Sequence, residues 1–552
     1  MPSRCTAARR GPLRSTTAVL ACLLAIACSQ PADDTADSDG ATATTQVLKR
    51  GNRNEPGTLD PHRMSSIHED TLLGDLYLGL TTHAADGSII PGAAQSWKIS
   101  PDGRTYTFSL REDLRWSDGV LVTARDFVFA LRRLFDPATA APFASVLYVI
   151  QNSRAVNLGQ QPKESIGVTA IDDFRLEFRL DHPAPYFLEL LAHNTAYPLP
   201  AHVFAKQPDR PFALREIVTN GPYRMAEWVP HEYIRLMANQ HFYDRDQLAI
   251  KQVLYYPTDD AHLALRRFRG GEIDLNTDIP SNMTAQLQTS LPVQTRITPA
   301  LGVVYYVFNT SKPPFDSPAV RRALSMAIDR RFLADHILGP GERAAFGLVP
   351  PDLWGDLAQS PGGEDARAPI EQRRAEARRL LAQAGYSQTA PLKTTLSYFT
   401  HETYRRVAVA VASMWSQVGV RVELFNTDRN VHFTDLQQRN FQVAHAAWVA
   451  DVADPYTFLF MFTSDAGALN ETGYSSAEFD ALFTRSNHEL DPTERLGLLR
   501  KAEQTLLADQ PLVPLFFMPS KNLVGAHVKG WVDNLRDKHR TRFLRIEADT
   551  DG

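Results

Sequence analysis

The chain has 552 residues, 43% of them hydrophobic and 22% charged. That composition excludes a wholly disordered, collagenous or coiled-coil protein and predicts several lobes with large buried cores. The formal net charge is −5, from 58 basic and 63 acidic residues, so no excess of positive charge draws the chain onto nucleic acid.

At the start of the chain, Arg4, Arg9, Arg10 and Arg14 precede an apolar run from Ala18 to Ala27 that ends at Cys28. A basic region, a short apolar stretch and small residues before a cut define a secretory signal, here residues 1–27. The run is too short to span a hydrocarbon core about 30 Å thick. Residues 28–45 are polar, rich in Asp, Thr and Ala, and read as a disordered tether. A cysteine at this junction resembles a bacterial lipoprotein signal, which implies that Cys28 carries lipid. A second box, Val19-Leu-Ala-Cys22, would leave apolar residues outside the membrane after cleavage. Of the three cysteines, Cys5 and Cys22 would leave with the signal. The mature chain then has no internal disulfide and no thiolate metal site.

From Val47 onward, strand and helix patterns alternate, so the expected class is α/β. Ser96–Ser100 and Thr105–Leu110 read as strands joined at Asp102-Gly103. Thr123 is a plausible N-cap for a helix with one apolar face through Arg133. Ile171–Leu180 alternates as a half-buried strand does. Further helices are expected over Val320–Ile328, Ile370–Ala384, His401–Val418 and Ser476–Ser486. Trp97, Trp116 and Trp228 read as packing residues, and His62 and His68 as surface histidines.

Several segments, in order, resemble one family: the solute-binding proteins of peptide-type ABC transporters (extracellular solute-binding protein family 5). They are Ile90-Pro-Gly-Ala-Ala-Gln-Ser-Trp97, Ser100-Pro-Asp-Gly-Arg-Thr-Tyr-Thr-Phe108, Leu110-Arg-Glu-Asp-Leu-Arg-Trp-Ser-Asp-Gly119 and Thr123-Ala-Arg-Asp-Phe127. Thr219-Asn-Gly-Pro-Tyr-Arg-Met-Ala-Glu-Trp228, Arg269-Gly-Gly-Glu-Ile-Asp274, Tyr306-Val-Phe-Asn-Thr310 and Val320–Asp329 continue the series. The resemblance implies a periplasmic-binding-protein-like α/β fold. Two large lobes joined by a hinge, plus a smaller domain, would bury a ligand between the lobes. Carried onto this chain, lobe I takes 46–90, 203–301 and 520–548, the small domain 91–202, and lobe II 302–519.

Trp448-Val-Ala-Asp-Val-Ala-Asp-Pro455 resembles the family's Trp-x-Ala-Asp segment, whose aspartate receives the ammonium of a bound peptide. The matching residue is Asp451, and a carboxylate suits that task because charge-assisted hydrogen bonds are strong and directional. A turn-capping role for Asp451 is the structural alternative. The resemblance also implies ligand contacts at Trp448, Val449, Asn309, His445, Arg429, Tyr404 and Phe143. Several of these depart from the family pattern. His445 stands for an Arg, Tyr404 for a His, Phe143 for a Tyr, Val452 for a Tyr after the aspartate, and Arg429 lies near a Trp position. The amine anchor is retained while the far end of the site is rebuilt, with Arg429 or His445 as candidates for a terminal carboxylate.

No Gly-x-x-x-x-Gly-Lys-[Ser/Thr] loop, His-Glu-x-x-His or Gly-x-Ser-x-Gly motif occurs. The expectation is therefore a binding protein without cofactor or metal, not an enzyme. It would be a monomer held on the periplasmic side of the envelope by its lipid, delivering short peptides to an ABC permease whose ATPase is a separate chain. A nickel chelate, haem, opine or oligosaccharide as solute, or a peptide sensor or chaperone without transport, are the alternatives.

Overall fold

Two long strands, Thr295–Phe308 and Leu512–Val524, pair antiparallel and run through the middle of the largest sheet. The computed structural model describes residues 46–547 except 65, 208–210, 213–216, 278 and 356–367. The predicted signal and tether, with Cys5, Cys22 and Cys28, lie outside the described residues. On one side of the long pair stand the strands Val443–Val449, Leu392–Phe399 and Val420–Thr427. On the other stand Leu275–Asn276, Val47–Gly51, Gln252–Tyr256, Tyr233–Ala238 and Tyr223–Val229.

The sequence of the first long strand explains how it can join two halves. From Leu301 to Phe308 every residue is buried. Leu301, Val303, Tyr305 and Val307 enter one apolar cluster, while Val304, Tyr306 and Phe308 enter another on the opposite face. That is the period-two alternation of a strand covered on both sides. Its N-terminal part, Thr295–Pro299, pairs instead with Pro519–Leu523. Between the two registers the ladder slips, at Pro299/Val303 and again at Val304/Tyr305. Pro299 faces Pro519, two residues that cannot donate to a ladder. Bulges of this kind bend a strand and sharpen its twist.

A separate four-stranded sheet, in the order Ala94–Ile99, Thr105–Leu110, Arg175–Arg179, Val168–Ala170, lies within residues 91–202. The expected hairpin is present, with Gly103 at φ +68° in its turn. The alternating stretch at Ile171–Leu180 is shorter as a strand than its pattern suggested. Asp172 accepts hydrogen bonds from Phe174 N and Arg175 Nε, which turns the chain before Arg175. Phe108, Trp116 and Phe178 of this region share one continuous apolar cluster with Leu48, Leu236 and Val253 of the large sheet.

The helices follow their caps. Asp126 accepts from the backbone and hydroxyl of Thr123, the box that opens Ala124–Leu134. Pro318–Ala327, Ile370–Gln383, Glu402–Ser416 and Ala477–His488 form close to where they were expected. Trp116 is fully buried, Trp97 packs on Phe108, and Trp228 donates to Glu55. His62 departs from expectation. It is buried beside the Asp60–Arg133 ion pair, and burial holds its imidazole down to about 3, so it is a neutral core histidine.

The candidate ligand cleft

Asp451 lies just past the strand Val443–Val449, on a loop fixed from three directions. Ala450 N donates to Leu301 O, and Ala453 N donates to Glu189 Oε2 at 2.7 Å. Arg536 Nη1 donates to the Asp451 carbonyl at 3.1 Å while its guanidinium pairs with Glu189. Val452 between them is buried in the apolar cluster of the small sheet. Downstream, Asp454 accepts from Tyr456 N and grips Arg495 in a two-bond fork at 2.7 and 3.0 Å. The turn-capping role weighed for Asp451 is therefore filled by Asp454.

The carboxylate of Asp451 is left over. Among the described residues no group donates to it. The cation whose field reaches it, Lys538, is already paired with Asp70. Burial pushes the Asp451 carboxyl up to about 6, with Lys538 only partly opposing. An acid desolvated without a partner is costly. Among the described residues, the loop thus holds a carboxylate to which no cation is paired.

Asp451, Trp448 and Phe143 line one hollow of about 600 Å3. Its other walls include Tyr186 and Tyr456, whose rings stack at 4.5 Å, with the Arg495 guanidinium 5.5 Å from the Tyr186 ring. Tyr186 and Glu189 come from the small-sheet region, Tyr456 and Arg495 from the other half of the chain. No motif linked the two groups, because they lie hundreds of positions apart in the chain.

Tyr404 lines a second hollow of about 400 Å3, with Arg53, His262, Glu402 and the Lys521–Glu342 ion pair. Val304 borders this second hollow, while its chain neighbour Val303 pairs across the sheet with Trp448 of the first. Phe143, Trp448 and Asp451 are thus brought together, and Tyr404 stands apart from them.

The remaining expected contacts are placed differently. Asn309 is fully buried. Its amide nitrogen donates to Arg439 O and Phe441 O, and its oxygen accepts from Ser311 N and Oγ. All its polar capacity is spent closing the end of the long strand, so it presents nothing to a ligand. His445 is 3% exposed beneath Tyr404, at 3.9 Å between ring centres, with Phe399 at 5.4 Å. Neither ring nitrogen has a partner among the described residues, and burial holds its imidazole down to about 3. A neutral, enclosed ring is no receptor for a carboxylate, which corrects that expectation. Arg429 is exposed at the start of the helix Arg429–Gln438, over the rings of Phe399 and Phe433. Val449 is 53% exposed at its strand end.

His445 gives a prediction. Its folded value lies below the ordinary 6.5 of histidine, so the stability it contributes is present above pH 6.5 and is lost as pH falls toward 3. His445→Leu removes that component. In urea titrations at pH 7 and pH 5, the variant is expected to gain on the parent at the lower pH by about 1–2 kcal/mol. An unchanged difference would contradict the neutral burial of His445.

Comparison with known proteins agrees with this architecture. Residues 88–470 match the model for bacterial extracellular solute-binding proteins, family 5 Middle. The chain is 35% identical over 517 residues to the periplasmic oligopeptide-binding protein OppA of Salmonella typhimurium, covering 93% of this chain and 94% of that one. It is 34% identical over 510 residues to the periplasmic murein peptide-binding protein MppA of Escherichia coli, covering 91% and 94%. The structure of Haemophilus influenzae OppA in complex with the peptide RPPGFSPFR superposes with a TM-score of 0.80 at 33% identity, covering 91% of this chain and 99% of that chain. Among the described residues, no helix is long and apolar enough to cross a membrane. The chain belongs to the bacterial extracellular solute-binding proteins of family 5.

Proposed function

We propose that this protein is an extracytoplasmic receptor that captures short peptides by their N-terminal ammonium at Asp451 and delivers them to an ABC permease. The observation that carries the reading is the unpartnered Asp451 carboxylate, raised to about 6 by burial, in the wall of an aromatic hollow. Relatives covering nearly the whole chain bear the names of oligopeptide- and murein-peptide-binding proteins, which supports peptide as the solute. Lobe I (46–90, 203–301, 520–548) and lobe II (302–519) close about the slipped registers of the two long strands, and Tyr404 and Arg429 serve the ligand's far end. Cys28 carries the lipid anchor after loss of residues 1–27, the protein acts as a monomer, and ATP is hydrolysed on another chain. It catalyses no reaction of its own.

The pairing sets a pH dependence. In the empty site Asp451 takes up a proton near pH 6, whereas an ammonium partner requires the carboxylate. Peptide affinity is therefore greatest near pH 7 and weakens below 6, approaching roughly tenfold per pH unit, with proton release on binding; it falls again above about pH 8, where the peptide's α-amino group loses its proton. Calorimetric titrations in two buffers of different ionisation enthalpy read both quantities. An affinity that does not change between pH 5 and 7 would overturn the anchor.

The solute itself is tested by native mass spectrometry of the purified protein, followed by mild denaturation and identification of what is released. A ladder of short-peptide masses on the parent, absent from Asp451→Ala, is the expected result. A single non-peptide mass, indifferent to the substitution, would overturn peptide capture.

A further inference from the structure

A groove of about 800 Å3 lies in the C-terminal half of the chain, between the helices Ile370–Gln383 and Glu402–Ser416 and the wide-turned segment Leu333–Leu338. It shares no lining residue with either hollow of the ligand cleft. Arg406, Val409, Ala410, Ser413 and Gln417 recur at three- and four-residue steps, so one face of the second helix forms a wall. The opposite face, through Val407, Ala408, Val411 and Trp415, is in the core. Wide helical turns of this type are rare and recur at functional sites.

The walls have two characters. Phe332 and Val409 are 43% and 50% exposed and, with Ile337, give the groove an apolar side. Against it stand three arginines, Arg374, Arg405 and Arg406, and a single acid, Asp329, which already accepts from Phe332 N. Among the described residues, Arg374 has one link, to the exposed Glu371, and its Nε is buried without a partner.

Arg406 is the decisive residue. Its Nε and Nη2 are both shut off from solvent, and neither meets an acceptor among the described residues. These two atoms form the edge of a guanidinium that receives two oxygens of one carboxylate or phosphate in parallel bonds. Donors left buried and unpaired are costly, and a rotation of the Arg406 side chain, which lines the groove, would bring this edge to an acceptor entering there.

We propose that this groove binds a free, single-chain amphiphile bearing a carboxylate. The Arg406 Nε–Nη2 edge holds the two oxygens, Arg374 and Arg405 flank the charge, and the chain lies along Phe332, Ile337 and Val409. The volume is in the range of small-molecule sites. The same anionic chemistry occurs on lipid headgroups, so the test separates a free amphiphile from a membrane surface.

Laurate, below its micellar concentration, is titrated calorimetrically into the purified protein, with dodecanol and inorganic phosphate as controls. Saturable one-to-one binding of laurate is expected, with no detectable binding of either control. Arg406→Gln should weaken it at least tenfold, and Arg406→Lys, which keeps the charge but not the fork, by a similar factor. Saturation with a tripeptide should leave laurate binding unchanged. Without laurate, Arg406→Gln should melt at or above the parent temperature. The proposal is overturned if laurate fails to bind, if Arg406→Gln binds it normally, or if a tripeptide displaces it. Retention on phosphatidylglycerol vesicles without laurate binding would overturn the free amphiphile in favour of a membrane surface. A melting temperature lowered by several degrees in Arg406→Gln would make the arginine a structural residue and overturn its role.

Discussion

Asp451→Asn is expected to weaken peptide binding on the order of 100- to 1,000-fold and, in the same molecule, to stabilise the empty protein. Both effects come from one carboxylate. With peptide bound, it faces an enclosed ammonium, and truncating one partner of a buried, hydrogen-bonded charge pair costs about 2–5 kcal/mol. In the empty site of the proposed receptor, it is an acid that burial raises from 3.8 to about 6. Its stabilising influence is complete only below pH 4, where both states are protonated, and is lost as pH rises through 6. At pH 7 the cost is on the order of 1–3 kcal/mol, and the neutral amide does not incur it. Calorimetry reads the first effect and urea unfolding at pH 7 the second. Loss of affinity with loss of stability would mean that the side chain serves the loop instead of the ligand.

Asp454→Ala should act in the opposite sense. Arg495 is 4% exposed at its side chain, lies over the Tyr186 ring, and has Asp454 as its carboxylate partner through two hydrogen bonds. Removing the partner leaves a buried charge unpaired, a loss of about 3–5 kcal/mol. The loop that presents Asp451 would loosen as well, because Asp454 also fixes Tyr456 N. Replacing both residues, as Asp454→Leu with Arg495→Met, should recover most of the stability, since an apolar pair needs no compensating charge. Chemical denaturation of the three proteins checks this. A double variant no better than the single would show that the pair's geometry, not its charge, sustains the loop.

Two aspartates three positions apart, Asp451 and Asp454, show what the sequence carries and what it does not. Trp448-Val-Ala-Asp451 is a local pattern, and its fit to a family segment singled out Asp451. What that pattern did not carry is the role of Asp454, whose partner Arg495 is 41 positions away. The supports of the loop are farther still, Glu189 at 264 positions and Arg536 at 85. Spacing rules act over a few residues, so such partners are visible only once the chain is folded.

His445 is instructive in another way. Val443-Ala-His-Ala-Ala-Trp-Val449 is apolar except for its histidine, the mark of a strand covered on both faces. Read by that run alone, His445 belongs in the core, where it is. Alignment to an arginine position in the family pattern pointed the other way. The hairpin at Ala94–Leu110 and the capped helices were legible because turn and cap chemistry is contained within a few residues. The alternation at 171–174 misled because a short Asp turn overrode it.

The most direct measurement compares one tripeptide with a free amino terminus and the same tripeptide N-acetylated, titrated into the parent protein at pH 7.5. Acetylation removes the ammonium and leaves the side chains and the carboxyl end intact. Capture at Asp451 predicts a loss of affinity of at least about 100-fold, the scale of a buried charge pair broken from the ligand side. Equal affinities for the two peptides would contradict the account.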